Sequence, residues 1–179
     1  MSTILIILLL SWLLPLLAIL IYLDSCGPIL FTQVRCKRNL KAFSCFKLRT
    51  MIVNNEAHSR SALPDDERIT RVGAILRKFH LDELPQLFNV WWGDMSLIGP
   101  RPYMLYENDR YLNHSELFEL RYQIKPGMTG LAQCHGFTGF FRKENDFEGR
   151  LRFDLDYLYQ WSLGLDIKIL IKTIKRLYC

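Results

Sequence analysis

With 179 residues, half of them hydrophobic, the chain has material for one domain with a substantial core and too little for two of ordinary size. Its five cysteines include no CxxC pair, and no His is placed to complete a metal tetrad, so a structural zinc module is excluded. The net charge of +5 is modest and suits a phosphate-bearing substrate or anionic lipid as well as nucleic acid.

Residues 1–23 carry no charged side chain; Ser2, Thr3, Ser11, Trp12 and Tyr22 relieve a run of Leu and Ile. A run of this length matches the roughly 17–25 residues a helix needs to cross a bilayer core, and predicts membrane association. A secretory signal peptide fits poorly, because there is no basic start and Leu23-Asp24-Ser25 is a poor cleavage site. Between residues 25 and 55 the charges up to Arg49 are all positive: Arg35, Lys37, Arg38, Lys41, Lys47 and Arg49. Positive flanks stay in the cytoplasm, which predicts a cytoplasmic remainder with Cys26, Cys36, Cys45, Cys134 and Cys179 as thiols. Pro15 removes a backbone hydrogen bond and leaves two readings of the anchor. It is either one tilted span with a tolerated proline, or a bent helix that enters and leaves by the same face, with Ser11 meeting the freed backbone groups.

Beyond the anchor, residues 26–34 and 42–48 are short, β-rich runs that predict a small hairpin. Val72, Ile75, Leu76 and Phe79 recur at helical spacing. A second helix is expected to begin near Asp82, take Pro85 into its first turn and run through Leu87, Phe88 and Val90 to Gly93. Residues 115–123 predict a further short helix before the Lys125-Pro126-Gly127 turn. In 165–178, Ile167, Leu170, Ile171, Ile174 and Tyr178 form one face and Lys168, Lys172, Lys175 and Arg176 largely another, the pattern of a core helix or of one lying on headgroups. The fold class is α+β and mainly helical: one compact domain on its anchor, without repeats or flexible linkers.

The densest chemistry lies in 81–102, LDELPQLFNVWWGDMSLIGPRP. Adjacent Asp82 and Glu83 repel unless a cation compensates, and a helix N-terminus favours both their charge and bound phosphate. Mg²⁺ prefers oxygen ligands and bridges carboxylate to phosphate, so the pair could hold metal while Asp82 attacks phosphorus and Glu83 serves as general base. Arg77 and Arg101 are the nearest arginines in sequence to neutralise phosphoryl oxygens, with Arg101 framed by Pro100 and Pro102 after a turn at Gly99. Taken singly, each has a plain structural reading as a helix cap or a solvated face. His58, His114 and His135 read as surface residues, His80 lies two positions before Asp82, and Trp91-Trp92 read as core or interface packing.

These residues resemble the small monotopic phosphoglycosyl transferases, bacterial sugar transferases that begin polyprenyl-linked glycan assembly. The likeness runs through LDSCGPILFTQVR at 23–35, FKLRTM at 46–51, RITRVGAILRK at 68–78, the 81–102 segment, KPGMTGLAQ at 125–133 and LDIKIL at 165–170. It implies transfer of a sugar 1-phosphate from a nucleoside diphosphate sugar, here a UDP-sugar, to polyprenyl (undecaprenyl) phosphate with release of UMP. Asp82 would be the nucleophile that forms a covalent phosphosugar intermediate, Glu83 its assistant, both metal ligands, and Mg²⁺ the cofactor. Arg77, Arg101 and Thr129 would bind substrate phosphate, and Gly99, Pro100 and Pro102 would shape the loop. The resemblance also implies a re-entrant membrane helix over 1–24, broken near Ser11 and Pro15, and a catalytic domain over 25–179 lying on the cytoplasmic face of the bacterial inner membrane. Nucleic acid is not an expected partner; a homo-oligomer or the pathway's glycosyltransferases would be. The chain departs from the family pattern at Cys36, Leu40 and His80, and CHGFTG at 134–139 leaves Arg142 as the nearest arginine after Gln133. That altered loop supports an alternative, a catalytically silent relative that binds nucleotide sugar or lipid phosphate.

Overall fold

The computed structural model describes the backbone of residues 2–55, 66–138 and 144–178, and within them the side chains of 11–55, 66–138 and 146–176. In chain order the elements are α1 (Ser2–Asp24), β1 (Leu30–Cys36), β2 (Ala42–Leu48), α2 (Arg71–Lys78), α3 (Gln86–Trp91), β3 (Ser96–Ile98), α4 (Leu105–His114), β4 (Gly127–Thr129), α5 (Leu131–Cys134), α6 (Glu144–Gln160) and α7 (Leu163–Tyr178), with 3-10 turns at Arg38–Leu40, Leu81–Glu83 and Glu116–Gln123. The mixed, mainly helical class matches expectation. β1 and β2 form the small antiparallel hairpin, with β1 starting later than the predicted 26–34 run. By packing, the chain divides into two compact units, Met1–Phe31 with Lys47–Leu84, and Thr32–Phe46 with Pro85–Cys179.

In the first unit α1 presents Leu17 and Ile21, one helical turn apart, to Leu48 and Leu76, with Leu13, Leu14, Ile29, Val72, Leu81 and Leu84 packed around them. Its other side leaves Trp12, Leu16, Ile19, Leu20, Tyr22 and Leu23 exposed. α1 is a single helix with Pro15 inside it, and among the described residues no helix is long and apolar enough to cross a membrane. Its C-terminal end is tied down: Arg49 donates to the carbonyls of Ser25 and Cys26, and the Asp24 carboxylate accepts from the Val72 amide in the first turn of α2. That amide would otherwise lack an intrahelical partner. Thr70 caps the same helix by accepting from the Gly73 amide at 3.0 Å.

In the second unit Ser96 pairs with Gly127 and Ile98 with Thr129 in a short parallel ladder. The glycines there serve close backbone approach: a Cβ on Gly127 would lie 2.1 Å from the Gly99 nitrogen, and one on Gly130 2.2 Å from the Gly99 carbonyl oxygen. Gly99, expected as a tight-turn residue, is thus needed for space and not for a left-handed backbone, whereas Gly93 has φ +82°. Fully buried Asn89 ties α3 to β2 by accepting from the Phe46 amide and donating to the Ser44 carbonyl. The main core gathers Cys36, Tyr103, Phe118, Tyr122, Phe147 and Leu151.

Several expectations change. The helix predicted from Asp82 begins at Gln86 instead, because Pro85 has no amide to bond the Leu81 carbonyl; the Leu84 amide closes a 3-10 turn onto Leu81. Residues 116–123 form a 3-10 segment. α7 buries Ile169 and leaves Ile167, Leu170, Ile171 and Ile174 exposed, so this apolar face is not core within the chain. Trp91 and Trp92 are likewise exposed, with Trp92 edge-on to Phe46. His58, Arg142 and Cys179 lie outside the described residues.

A Cβ on Gly73 would fall 2.1 Å from the Thr50 carbonyl oxygen, so Gly73→Ala pushes α2 off the segment that follows β2 and carries Thr50. The expected cost is about 1–3 kcal/mol by overpacking, read as a lower unfolding midpoint in detergent.

Candidate active site

The Asp-Glu pair sits where α2 ends. Phe79 closes that helix, and His80 adopts the left-handed region at φ 54°, which reverses the chain into the Leu81–Glu83 turn. The His80 amide still reaches the Arg77 carbonyl at 3.2 Å, as expected of a left-handed residue just past a helix end. Leu81 and Leu84 flank the pair and pack against the first unit's core, which pulls Asp82 and Glu83 inward to 7% and 9% exposure. Two adjacent carboxylates buried to that degree need a cation close by.

Lys47, at the end of β2, supplies it. Its Nζ donates to Glu83 Oε1 at 2.8 Å and lies 3.9 Å from Asp82 Oδ2. Arg77, on the last turn of α2, is fixed by its Nε donating to Thr50 Oγ1 at 2.8 Å. Burial pushes the Arg77 guanidinium below its ordinary value, opposed by the carboxylates of Asp82, Asp66 and Glu83, so Arg77 feels the pair electrostatically. Asp66 and Arg68 add a forked ion pair in the same unit. Lys47, Thr50 and Asp66 were not singled out from sequence. Lys47 is hidden in a general basic stretch, and only the strand that carries it reveals that it faces the carboxylates.

Arg101, Pro100, Pro102, Gly99 and Thr129 belong to the second unit. The Pro100–Tyr103 backbone is held at four successive carbonyls: by the Gly127 amide at 2.9 Å, Arg121 Nη2 at 2.6 Å, Arg35 Nη1 at 2.6 Å and the Cys36 amide at 3.1 Å. Thr129 Oγ1 shares a hydrogen bond with Thr173 on α7 at 2.7 Å. Ser11 and Pro15 lie on exposed positions of α1, and His80 offers its backbone rather than a buried ring.

As a metal site, the Asp82-Glu83 pair offers two oxygen ligands, a donor set that fits Mg²⁺ completed by water and substrate phosphate. Among the described residues no group of three or more His, Cys, Asp or Glu stands ready to hold a metal by itself. The arrangement can do phosphoryl chemistry: a carboxylate nucleophile, a second carboxylate beside it, and a fixed lysine and arginine to offset charge.

The model of the bacterial sugar transferase family matches residues 1–179. The UDP-glucose:undecaprenyl-phosphate glucose-1-phosphate transferase of Escherichia coli K12 is 40% identical over 171 residues, 95% of this chain and 37% of that protein. The protein of the same description from Caulobacter vibrioides is 44% identical over 172 residues, covering 92% and 62% respectively. An exopolysaccharide production protein of Rhizobium leguminosarum bv. phaseoli is 39% identical over 162 residues, 88% of this chain and 81% of that one. The chain therefore spans between about a third and two thirds of the length of the first two relatives.

Replacing Lys47 with Met removes the ammonium that bonds Glu83 and neighbours Asp82. A loss of about 1–3 kcal/mol in denaturant unfolding is expected, since hydrogen bonds to buried charge are at stake while Arg77 remains. An unchanged midpoint would show that the carboxylates rely on other partners.

Proposed function

The chain belongs to the bacterial sugar transferase family, and on that premise we propose that it transfers a sugar 1-phosphate from a UDP-sugar to undecaprenyl phosphate, releasing UMP. The observation that carries this reading is the buried Asp82-Glu83 pair, held in its own turn by Lys47 beside a fixed Arg77. A carboxylate in that position is too enclosed to serve solubility, and it has the Lys47 ammonium within reach and the Arg77 guanidinium in its field.

In the proposed reaction an Asp82 carboxylate oxygen attacks the phosphorus that bears the sugar. The bond from that phosphorus to the bridging oxygen of the diphosphate breaks, and UMP leaves with the electron pair. The resulting aspartyl phosphosugar is then attacked at the same phosphorus by an oxygen of the lipid phosphate, which returns Asp82 as a free carboxylate. Arg77, Arg101 and Thr129 bind phosphoryl oxygens, Lys47 keeps Glu83 oriented, and Glu83 handles the proton at the attacking or leaving oxygen. Mg²⁺, held by Asp82 and Glu83, would offset charge on the diphosphate.

We place the catalytic domain on the cytoplasmic face of the inner membrane, with α1 as a re-entrant anchor bent near Ser11 and Pro15. The exposed apolar sides of α1 and α7 support this placement, as does the uniformly basic stretch that follows the anchor.

UMP release from a panel of UDP-sugars, in detergent with undecaprenyl phosphate and Mg²⁺, should fall by roughly 10³-fold or more in Asp82→Asn, together with loss of the covalent adduct by mass spectrometry. Substantial residual turnover would remove Asp82 as nucleophile, and silence of the unmodified protein across the panel would favour the catalytically silent alternative. Glu83→Gln should slow turnover by roughly 10²–10⁴-fold with a smaller change in KM. In vesicles, Pro15→Ala should move a label at residue 3 toward the far side, whereas an unmoved label would show that Pro15 does not set the bend.

A further inference from the structure

Pro100 and Pro102 contribute no backbone N–H, so half of the residues in the 100–103 stretch cannot anchor it by donating. The stretch is fixed through its carbonyls instead, and two of the four are held by buried arginine side chains rather than by neighbouring backbone. These two carbonyls, Arg101 and Pro102, lie on either side of the bond that leads from Arg101 into the second proline.

Both arginines are themselves immobilised. Arg35, 8% exposed, splits its guanidinium between the Pro102 carbonyl and the Gln33 side chain, which accepts at 2.8 and 3.3 Å. Arg121, 2% exposed, donates to the Arg101 carbonyl while its Nη2 and Nε also donate to Asp154 at 2.8 and 3.2 Å and its Nη1 to the Tyr122 hydroxyl at 3.5 Å. The Tyr103 ring lies 4.4 Å from the Arg121 guanidinium carbon, with Phe118 at 5.1 Å. Burial alone would lower the Arg121 pKa, but the Asp154 carboxylate, through its charge and its hydrogen bond, together with Tyr122 and Tyr103 leaves it raised and the charge in place. A carbonyl needs only one neutral donor to be satisfied; two forked, doubly anchored cations give it a fixed position as well.

We propose that Arg35 and Arg121 are positioning residues that clamp the backbone at the carbonyl of Arg101 and of the proline that follows it, and so aim the Arg101 guanidinium at the substrate phosphate. This rests on the reading of Arg101 as a phosphate-binding residue. Neither arginine touches substrate. Each acts through the loop, and the effect of losing either is a weaker grip on the UDP-sugar rather than slower chemistry.

The test is a coupling measurement in the full chain. Arg35→Lys and Arg121→Lys keep the charge and lose the fork; each is made alone and on an Arg101→Ala background, with KM for the UDP-sugar, kcat per folded protein, UDP affinity and melting temperature recorded. The expected result is a rise of about tenfold in KM and a matching loss of UDP affinity for Arg35→Lys, little change in kcat, and no further loss on the Arg101→Ala background. Arg35→Lys carries the test if Arg121→Lys, which disturbs the buried pair with Asp154, does not fold. Equal losses with and without Arg101, or a lower melting temperature at unchanged KM, would overturn the proposal and leave Arg101 as a phosphate ligand. Unchanged UDP affinity in Arg101→Ala alone would overturn the reading of Arg101 and the proposal with it.

Discussion

Burying two neighbouring carboxylates is the constraint around which the first unit is organised. Side by side and almost out of solvent, Asp82 and Glu83 are tolerable only where positive charge is already in place, and Lys47 and Arg77 meet that demand from a strand and a helix. The helix must therefore end where it does and the strand must pass close to it. Gly73, pressed on the Thr50 carbonyl, allows that approach, and Thr50 in turn holds Arg77. α1 joins the same arrangement through Leu17 and Ile21 and through the reciprocal caps of Arg49 and Asp24, so this apolar helix is mechanically continuous with the turn that carries the carboxylates.

The second unit solves a different problem, that of fixing a proline-framed arginine loop with few backbone donors. Glycines at 99, 127 and 130 let β3, β4 and the loop run backbone against backbone. Buried cations then take the carbonyls of Arg101 and Pro102. The Arg121–Asp154 pair is expensive to bury, and aromatic rings at short range together with a third hydrogen bond to the loop are the compensation. One unit holds the carboxylates with their cations, the other the proline-framed arginine loop.

Elements with clean apolar periodicity were legible in advance. The α2 helix and the hairpin follow from spacing and β-rich composition, and α7 from its amphipathic pattern, though spacing could not say whether its apolar face would be covered. α6 was not legible, because its inward stripe is Phe147, Arg150, Leu151, Asp154 and Tyr157, and two of those five are charged. Hydrophobic periodicity cannot see a buried ion pair. Local pattern places a helix start near Asp82 with Pro85 in its first turn, whereas the missing amide of Pro85 separates a 3-10 turn from the helix that begins at Gln86.

The sequence alone determined the apolar first helix with its basic flank, the Asp82-Glu83 pair, the proline-framed Arg101 and the family to which these motifs belong. All are local: they depend on residue type and order over a few positions. Only the tertiary structure decided that Lys47 serves the carboxylates from a separate strand, that Thr50 fixes Arg77, and that Arg35 and Arg121 hold the arginine loop from 67 and 20 residues away. Lysine and arginine look alike on a surface and in a core when read in order. What distinguishes them is the partner each one meets, and that is set by how distant segments pack.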